Sequence, residues 1–425
     1  MIYDTIIIGG GIGGLYSAYK LLKKNNKLNI LLLEKNNYLG GRIKTFRKNI
    51  NNHDYQFEEG SGRFNNYHKL LIKLLKELNL DKYIIKINSD IKFAPSNNSY
   101  KNKEQFIGKT PFIYINKVIK YYKDIDMINI NKIQEYTFYE YAAKILEPDE
   151  LKFIIDSFGY YKQLVSMNAL NAIKLFDKGM NSYLQFYSLA CGFDMIIMRL
   201  KENIIRLGGK IMIKQYVKNV NYNLEKKLFF IDLESKNTYQ SKHCILAIPK
   251  PDLLQFNIIN NNVSIKNLLN SIGYKSLCRI YSIFNKKDIW FSNISKTTTN
   301  NNLRYIIPID KENGLIMISY SDSKFANNWN KLEKINKKEV ISQLKKNIYK
   351  TFHQEIADPI FTKMCYWKLG TAFWKKNKNS SIISKKILQP FPSVPLYICG
   401  ENYSETQGWI EGALETSNLV IKAIT

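Results

Sequence analysis

Between Tyr3 and Lys35 two short apolar runs flank a glycine-rich turn and a helical stretch, an order that leaves few folds open. Thr5-Ile6-Ile7-Ile8 has the length of a strand buried on both faces. It runs straight into Gly9-Gly10-Gly11-Ile12-Gly13-Gly14, after which Leu15, Ala18, Tyr19 and Leu22 mark a helix. A second apolar run, Ile30-Leu31-Leu32-Leu33, closes on Glu34. Glycines cluster in many turns, but here they follow a strand, open a helix and precede an acid 20 positions after Gly14. Gly9 allows the tight turn, Gly11 removes a Cβ that would block a pyrophosphate, and Gly14 lets helix and strand pack closely. The phosphates then face free N–H groups at the helix N-terminus. Glu34 would accept from the ribose hydroxyls, and its charge disfavours a 2′-phosphate. The segment is read as a dinucleotide-binding βαβ unit; the alternative is a glycine-rich turn in an ordinary α/β protein.

Three further pieces narrow the dinucleotide. The run Glu34-Lys35-Asn36-Asn37-Tyr38-Leu39-Gly40-Gly41-Arg42 puts two glycines and an arginine just past the second strand. Such a turn lets backbone approach a cofactor while Arg42 neutralises a phosphate. Phe57-Glu58-Glu59-Gly60-Ser61-Gly62-Arg63 offers another small-residue turn. Near the end of the sequence, strand Leu396-Tyr397-Ile398-Cys399 leads into Gly400-Glu401, and Gly408-Trp409-Ile410-Glu411-Gly412-Ala413 opens a last helix. On these residues the chain resembles the flavin-containing amine oxidase family, which includes monoamine, polyamine and L-amino-acid oxidases. The resemblance is strong at both ends and thin between about residues 86 and 185. It implies an α/β protein in which a Rossmann-like FAD-binding domain is interleaved with an α+β substrate domain.

At 425 residues the chain exceeds the usual limit of one core, and 45% hydrophobic residues are ample for two. No run of about 18 apolar residues is present. The sequence starts one turn before its first strand and ends after its last helix, so a soluble, intracellular protein without leader or anchor is expected. Cys191, Cys244, Cys278, Cys365 and Cys399 show no paired spacing, and the four histidines show no ligand spacing. Neither a disulfide framework nor a metal site is expected. The net charge of +27 suits an anionic partner. Yet the lysines are dispersed among asparagines and isoleucines, as in Lys23-Lys24-Asn25-Asn26, and all three residue types have A/T-rich codons. No aromatic-interleaved basic motif appears, and nucleic acid is not expected as a partner.

Read with the resemblance, residues 1–85, 190–263 and 393–425 supply the FAD-binding domain, and 86–189 and 264–392 the substrate domain. The first includes an amphipathic helix from His68 to Leu78. The second return includes a helix (Met195 to Leu207), the turn Gly208-Gly209, and strands ending at Ala247-Ile248-Pro249. The aromatics of 86–189 are read as core. In the family a valine at the position of Val217 meets the adenine through its backbone, and the strand end at Ala247 lies near the cofactor; plain strand packing accounts for Val217 equally well.

The resemblance also implies a chemistry: hydride passes from the substrate to the flavin N5, the imine hydrolyses, and oxygen reoxidises the flavin to give peroxide. The substrate is a small amine or amino acid, neutral at nitrogen, in an aromatic-walled pocket that disfavours the ammonium. Trp409 matches one wall, and the amides of Trp409 and Ile410 would face the flavin pyrimidine oxygen; a buried tryptophan at a helix start is the alternative. The opposite wall is expected from Trp367 to Trp374, with Phe373 or Trp374 in place of the usual tyrosine. Thr371 lies near where covalent relatives carry a flavin-linked cysteine, so FAD is expected to be noncovalent. Where the family carries a lysine near N5, Arg279 aligns, with Lys275 four residues upstream; arginine cannot exchange a proton near neutral pH. Gly62-Arg63-Phe64 matches the arginine that binds the substrate carboxylate in L-amino-acid oxidases, a task for which a planar fork is suited. Contact of Arg63 with FAD or with Glu59 is the alternative. Two other readings stay open: another FAD oxidoreductase of the superfamily, of desaturase or mutase type, and a non-catalytic FAD-stabilised protein.

Overall fold

A computed structural model of the chain describes residues 1–88, 90–96, 109–124 and 132–425; parts of the aromatic-rich segment expected over 86–189 lie outside them. A seven-stranded sheet runs in the order Val217–Asn223, Leu228–Leu233, Thr238–Leu246, Ile2–Ile8, Ile30–Leu33, Lys210–Met212, with Leu396–Ile398 also paired to Thr238–Leu246. Its centre is parallel: Ile8 lies beside Leu33 on one side and Leu246 on the other, and Leu246 beside Ile398. The apolar runs are buried on both faces, and alternate residues enter two different cores. Ile7, Leu32 and Ile245 pack under the helices Ile12–Lys24, Lys69–Glu77, Asp194–Arg206 and Ile410–Ile424. Ile6, Leu31 and Cys244 face the other way, toward Phe229, Leu253 and Trp374. This period of two explains why continuous apolar runs are needed here.

A six-stranded sheet runs in the order Phe361–Trp374, Ile272–Ile283, Leu315–Asp322, Tyr305–Asp310, Thr297–Thr298, Lys92–Phe93. Its strands come from residues 264–392 apart from Lys92–Phe93, while those of the first sheet come from 1–85, 190–263 and 393–425. A three-stranded sheet links Phe64–Asn65, Phe186–Leu189 and Ile84–Ile87, so a chain break drawn between 85 and 86 cuts a strand. Short helices of the intervening segment, among them Phe112–Lys123, Pro148–Ser157 and Ala169–Leu175, close on a core of Phe138, Phe153, Phe158 and Phe176. Edge-to-face ring pairs such as Phe138 with Phe176, centroids 4.8 Å apart, fill it. No helix among the described residues is long and apolar enough to cross a membrane.

Candidate cofactor and substrate cavity

The parallel strands all end on one edge, at Gly9, Glu34, Ala247 and Cys399, and the connection from Ile2–Ile8 turns one way while its other neighbour lies opposite. Such a switch point opens a crevice. The six-stranded sheet covers it, and between the two lies a cavity of about 450 Å3. Side chains two residues apart on three strands form its far wall: Leu277 and Arg279, Tyr320 and Asp322, Trp367, Leu369 and Thr371. Strand register aligns them, since Arg279 sits beside Tyr320 and Leu277 beside both Asp322 and Trp367.

The near wall carries the glycine turn. Gly9 holds φ at +110°, and a Cβ there would lie 2.5 Å from the Ala247 carbonyl oxygen. A Cβ on Gly14 would lie 2.0 Å from the Gly9 oxygen, so Gly14 is a packing position and does not line the cavity. Gly11 is different: a Cβ there meets nothing within 4 Å, because it would project into the cavity. No side chain caps the helix Ile12–Lys24, which leaves its first N–H groups for a ligand. Ile12 and Gly13 line the same end. Glu34 accepts from the Gly10 N–H at 2.7 Å and the Asn36 N–H at 2.8 Å, which holds its carboxylate at the strand end. Lys35, Gly41, Gly60, Ser61, Gly62, Val217 and Ala247 also line the cavity, with Lys35 paired to Asp252 at 2.7 Å.

Arg42, half-buried, and the buried Glu401 form one anchor. Arg42 donates to Glu401 Oε2 at 2.8 Å, and Glu401 Oε1 accepts from the Gly408 N–H at 2.5 Å. Burial opposes the guanidinium charge, but the Glu401 carboxylate outweighs it and holds Arg42 above its ordinary range. Gly400 and Gly408, at φ +135° and +89°, make the turns on either side. Trp409 then opens the helix Ile410–Ile424 without a side-chain cap. Glu411 reaches out of this helix to accept from the Leu70 and Leu71 N–H groups at 2.8 and 2.9 Å. It thereby caps the helix Lys69–Glu77 and holds His68 against the Trp409 ring, with centroids 4.6 Å apart. Burial, with Arg63 nearby, lowers the His68 pKa to about 3, so this imidazole is neutral.

Buried acceptors in the cavity wall test the fit of a large polar ligand. Among the described residues, Gln163 Oε1, Asn402 Oδ1 and Gln407 Oε1 are buried without a hydrogen-bond partner, and all three residues line the cavity. Unpaired buried acceptors are costly. Together with the open position at Gly11, they fit a dinucleotide carrying a hydrogen-bonding ring system.

Elsewhere in the cavity wall, Arg63 lies over the rings of Phe186 and Trp409, at 4.8 and 5.7 Å, and donates to the Tyr160 hydroxyl at 3.3 Å. Glu59 is engaged elsewhere, by Lys44 at 2.9 Å and Lys363 at 3.4 Å. Arg279 donates to the Glu58 carbonyl at 2.8 Å and lies 4.6 Å over the Tyr320 ring. Burial works against ionising Tyr320, but the guanidinium reverses the balance and holds this phenol below its ordinary range, while burial keeps Tyr160 well above it.

The expectation that Phe373 or Trp374 forms the opposite wall is corrected. Phe373 and Trp374 do not line the cavity; Trp367, Leu369, Gly370 and Thr371 do. Trp374 points to the opposite face of its strand, fully buried, and its indole donates to the Ser404 carbonyl at 2.9 Å. Phe373 lies one repeat too far along the strand and packs on Gly273, where a Cβ would meet its ring at 2.3 Å. Lys275 does not line the cavity either; the pairing of its strand with Phe361–Trp374 shifts register between Lys275 and Leu277. Tyr160, Gln163, Tyr320 and Asp322 line the cavity without having been singled out from sequence. Tyr160 and Gln163 belong to the stretch with little resemblance. Tyr320 and Asp322 end a recognisable strand and carried the only available signal, polar residues two apart.

Residues 12–421 match the flavin containing amine oxidoreductase family. An uncharacterised protein of Acanthamoeba polyphaga mimivirus is 23% identical, covering 99% of this chain and 93% of its own. A probable flavin-containing monoamine oxidase A of Dictyostelium discoideum is 25% identical over 58% of each chain. Among solved structures, wild-type putrescine oxidase bound to putrescine superimposes with a TM-score of 0.77 at 14% identity, covering 100% of this chain and 99% of that one. A putative protoporphyrinogen oxidase from Exiguobacterium gives 0.71 at 15%, covering 99% and 98%. A glycine cradle, an Arg–Glu anchor and unpaired acceptors around one cavity, joined to a family match over nearly the whole chain, lead to one conclusion: the protein belongs to the flavin-containing amine oxidoreductases.

Proposed function

We propose that this chain oxidises the C–N bond of a small amine that carries an anionic group, an L-amino acid being the simplest case, with FAD held noncovalently. The observation that carries the substrate reading is a charge imbalance in the cavity wall. Its carboxylates are engaged: Glu34 by backbone N–H groups, Glu401 by Arg42, Glu59 by Lys44, Asp252 by Lys35, and Asp322 by the Tyr161 and Lys162 N–H groups. Arg63 has no carboxylate within ion-pair distance among the described residues. A half-buried guanidinium over two aromatic rings, with one hydroxyl for company, suits a ligand carboxylate.

When bound, FAD supplies the acceptor for a hydride from the carbon next to nitrogen. The residues present would hold it through the Gly11 cradle, Glu34, the Arg42–Glu401 pair and the N–H groups that open the helix at Trp409. Trp409, Trp367, Leu277 and Tyr320 give the substrate an aromatic and apolar surround, which favours the neutral amine by desolvation. Arg279 provides a fixed positive charge and exchanges no proton. The cysteine that lines the cavity, Cys399, supports noncovalent binding: burial pushes its thiol up to about 11, far from the reactive thiolate range. Molecular oxygen is the proposed electron acceptor.

The test is anaerobic mixing of the flavin-loaded protein with amines and L-amino acids, followed by aeration and peroxide assay. Amino acids should bleach the flavin, and Arg63→Ala should raise their KM roughly 10- to 150-fold, the equivalent of the about 1.5–3 kcal/mol of a charged hydrogen bond. Equal kinetics in the two proteins would remove the anionic-substrate reading. No bleaching with any amine would favour a non-amine flavoenzyme or a non-catalytic protein.

A further inference from the structure

Lys162 is a charge the cavity wall keeps out of sight. The backbone N–H groups of Tyr161 and Lys162 donate to the two Asp322 carboxylate oxygens at 2.8 and 2.7 Å, which fixes this turn against the six-stranded sheet. The Lys162 side chain then runs inward and has no exposure at all. Its Nζ donates to Thr371 Oγ1 at 2.8 Å and to the Ala372 carbonyl at 3.0 Å. Its third N–H has no acceptor among the described residues, and no carboxylate lies within ion-pair distance. Burying an ammonium this way is expensive, and an apolar side chain of similar shape would fill the space at lower cost. A role in packing alone does not account for it.

Thr371 is the link to the cavity. It lines the cavity on the strand face shared with Trp367 and Leu369, and its Oγ1 lies 3.8 Å from where a Cβ on Gly408 would be. That places it beside the turn that opens the last helix. Because Thr371 Oγ1 accepts from the ammonium, its own proton is free to donate. The in-chain acceptor, the Ala372 carbonyl, is 3.4 Å away and already used by Lys162, so a ligand acceptor in the cavity is the better partner.

We propose that Lys162 is a positioning residue: acting through the Thr371 hydroxyl, its ammonium favours the more negative, reduced state of the group bound in the cavity. This rests on the reading that the group is FAD. Five charges or dipoles face the ammonium. Glu401 and Asp322 favour its charge, Arg42 opposes it, and Thr371 and the Ala372 carbonyl accept from it. Burial dominates and lowers its pKa to about 8, so the charge is present at neutral pH and is lost in mildly alkaline solution.

The experiment measures the two-electron midpoint potential of the flavin-loaded protein against pH, for wild type, Lys162→Met, Thr371→Val, Thr371→Ser and the Lys162→Met/Thr371→Val double variant. Lys162→Met should weaken binding of reduced relative to oxidised flavin at least tenfold, a potential about 30 mV more negative. The wild-type potential should show an additional dependence on pH above about 8 that Lys162→Met lacks. Thr371→Val should reproduce the shift, the double variant should add nothing to it, and Thr371→Ser should behave as wild type. An unchanged potential in Lys162→Met overturns the inference alone. If that variant fails to fold or to hold flavin, an unchanged potential in Thr371→Val overturns it instead. Wild-type protein that takes up no FAD overturns the cofactor reading and this inference together.

Discussion

Replacing Gly11 with alanine separates the folding of the first βαβ unit from the binding it serves. Gly11 has φ −74° and ψ 178°, extended backbone open to any residue, and a Cβ there meets no heavy atom within 4 Å. The apoprotein should therefore fold as well as wild type, or be more stable by about 0.4–1 kcal/mol, because alanine restricts the unfolded chain. The same methyl group stands where the pyrophosphate should approach the helix N-terminus. Intruding a methylene-sized group into a filled site costs about 1–3 kcal/mol, which is roughly a 5- to 150-fold loss of FAD affinity. Gly14→Ala is the control, since its Cβ would fall 2.0 Å from the Gly9 carbonyl oxygen and the strand or helix must move. It should destabilise the apoprotein by about 1–3 kcal/mol. Urea unfolding of the three apoproteins gives the first quantity, and quenching of FAD fluorescence on titration gives the second. If Gly11→Ala proves as unstable as Gly14→Ala, or keeps wild-type FAD affinity, the assignment of Gly11 to the phosphate cradle is refuted.

Two further outcomes follow from the charges. Arg42→Met leaves the buried Glu401 without its charge partner, and should cost about 3–5 kcal/mol in urea unfolding. Lys345→Ala breaks an exposed pair with Asp358 and should cost less than about 1 kcal/mol; equal losses would mean that burial does not decide the worth of these pairs. Glu58 is buried, which pushes its pKa up to about 7 although Thr45 and the Phe193 N–H donate to it. Its protonated form is the favoured one in the fold, so this contribution is complete below about pH 4.5 and is lost as pH rises through 7. The loss is at most about 3 kcal/mol at 1.36 kcal/mol per unit. Glu58→Gln should flatten stability over that window, and parallel pH profiles of the two proteins would contradict this.

The parts of the site that were legible in the sequence are those whose chemistry is complete within one short stretch of backbone. The turn from Gly9 to Gly14 and the helix start at Trp409 offer main-chain N–H groups and missing Cβ atoms, and each carries its own glycines. Glu34 and Arg42 stand at set distances from such turns. The far wall of the cavity was not legible in that way. Trp374 and Thr371 are three residues apart in one apolar strand, yet pleat parity sends one into a core and the other to the cavity, and parity depends on which strands lie alongside. Phe373 has the right parity and still misses, because cavity and helical core meet between residues 371 and 373 of that strand. Tyr160 and Gln163, which line the cavity, and Lys162, which bonds Thr371 behind it, come from a segment more than 200 residues before Thr371. Local sequence sets what backbone can bind; only long-range register decides which side chains stand around it.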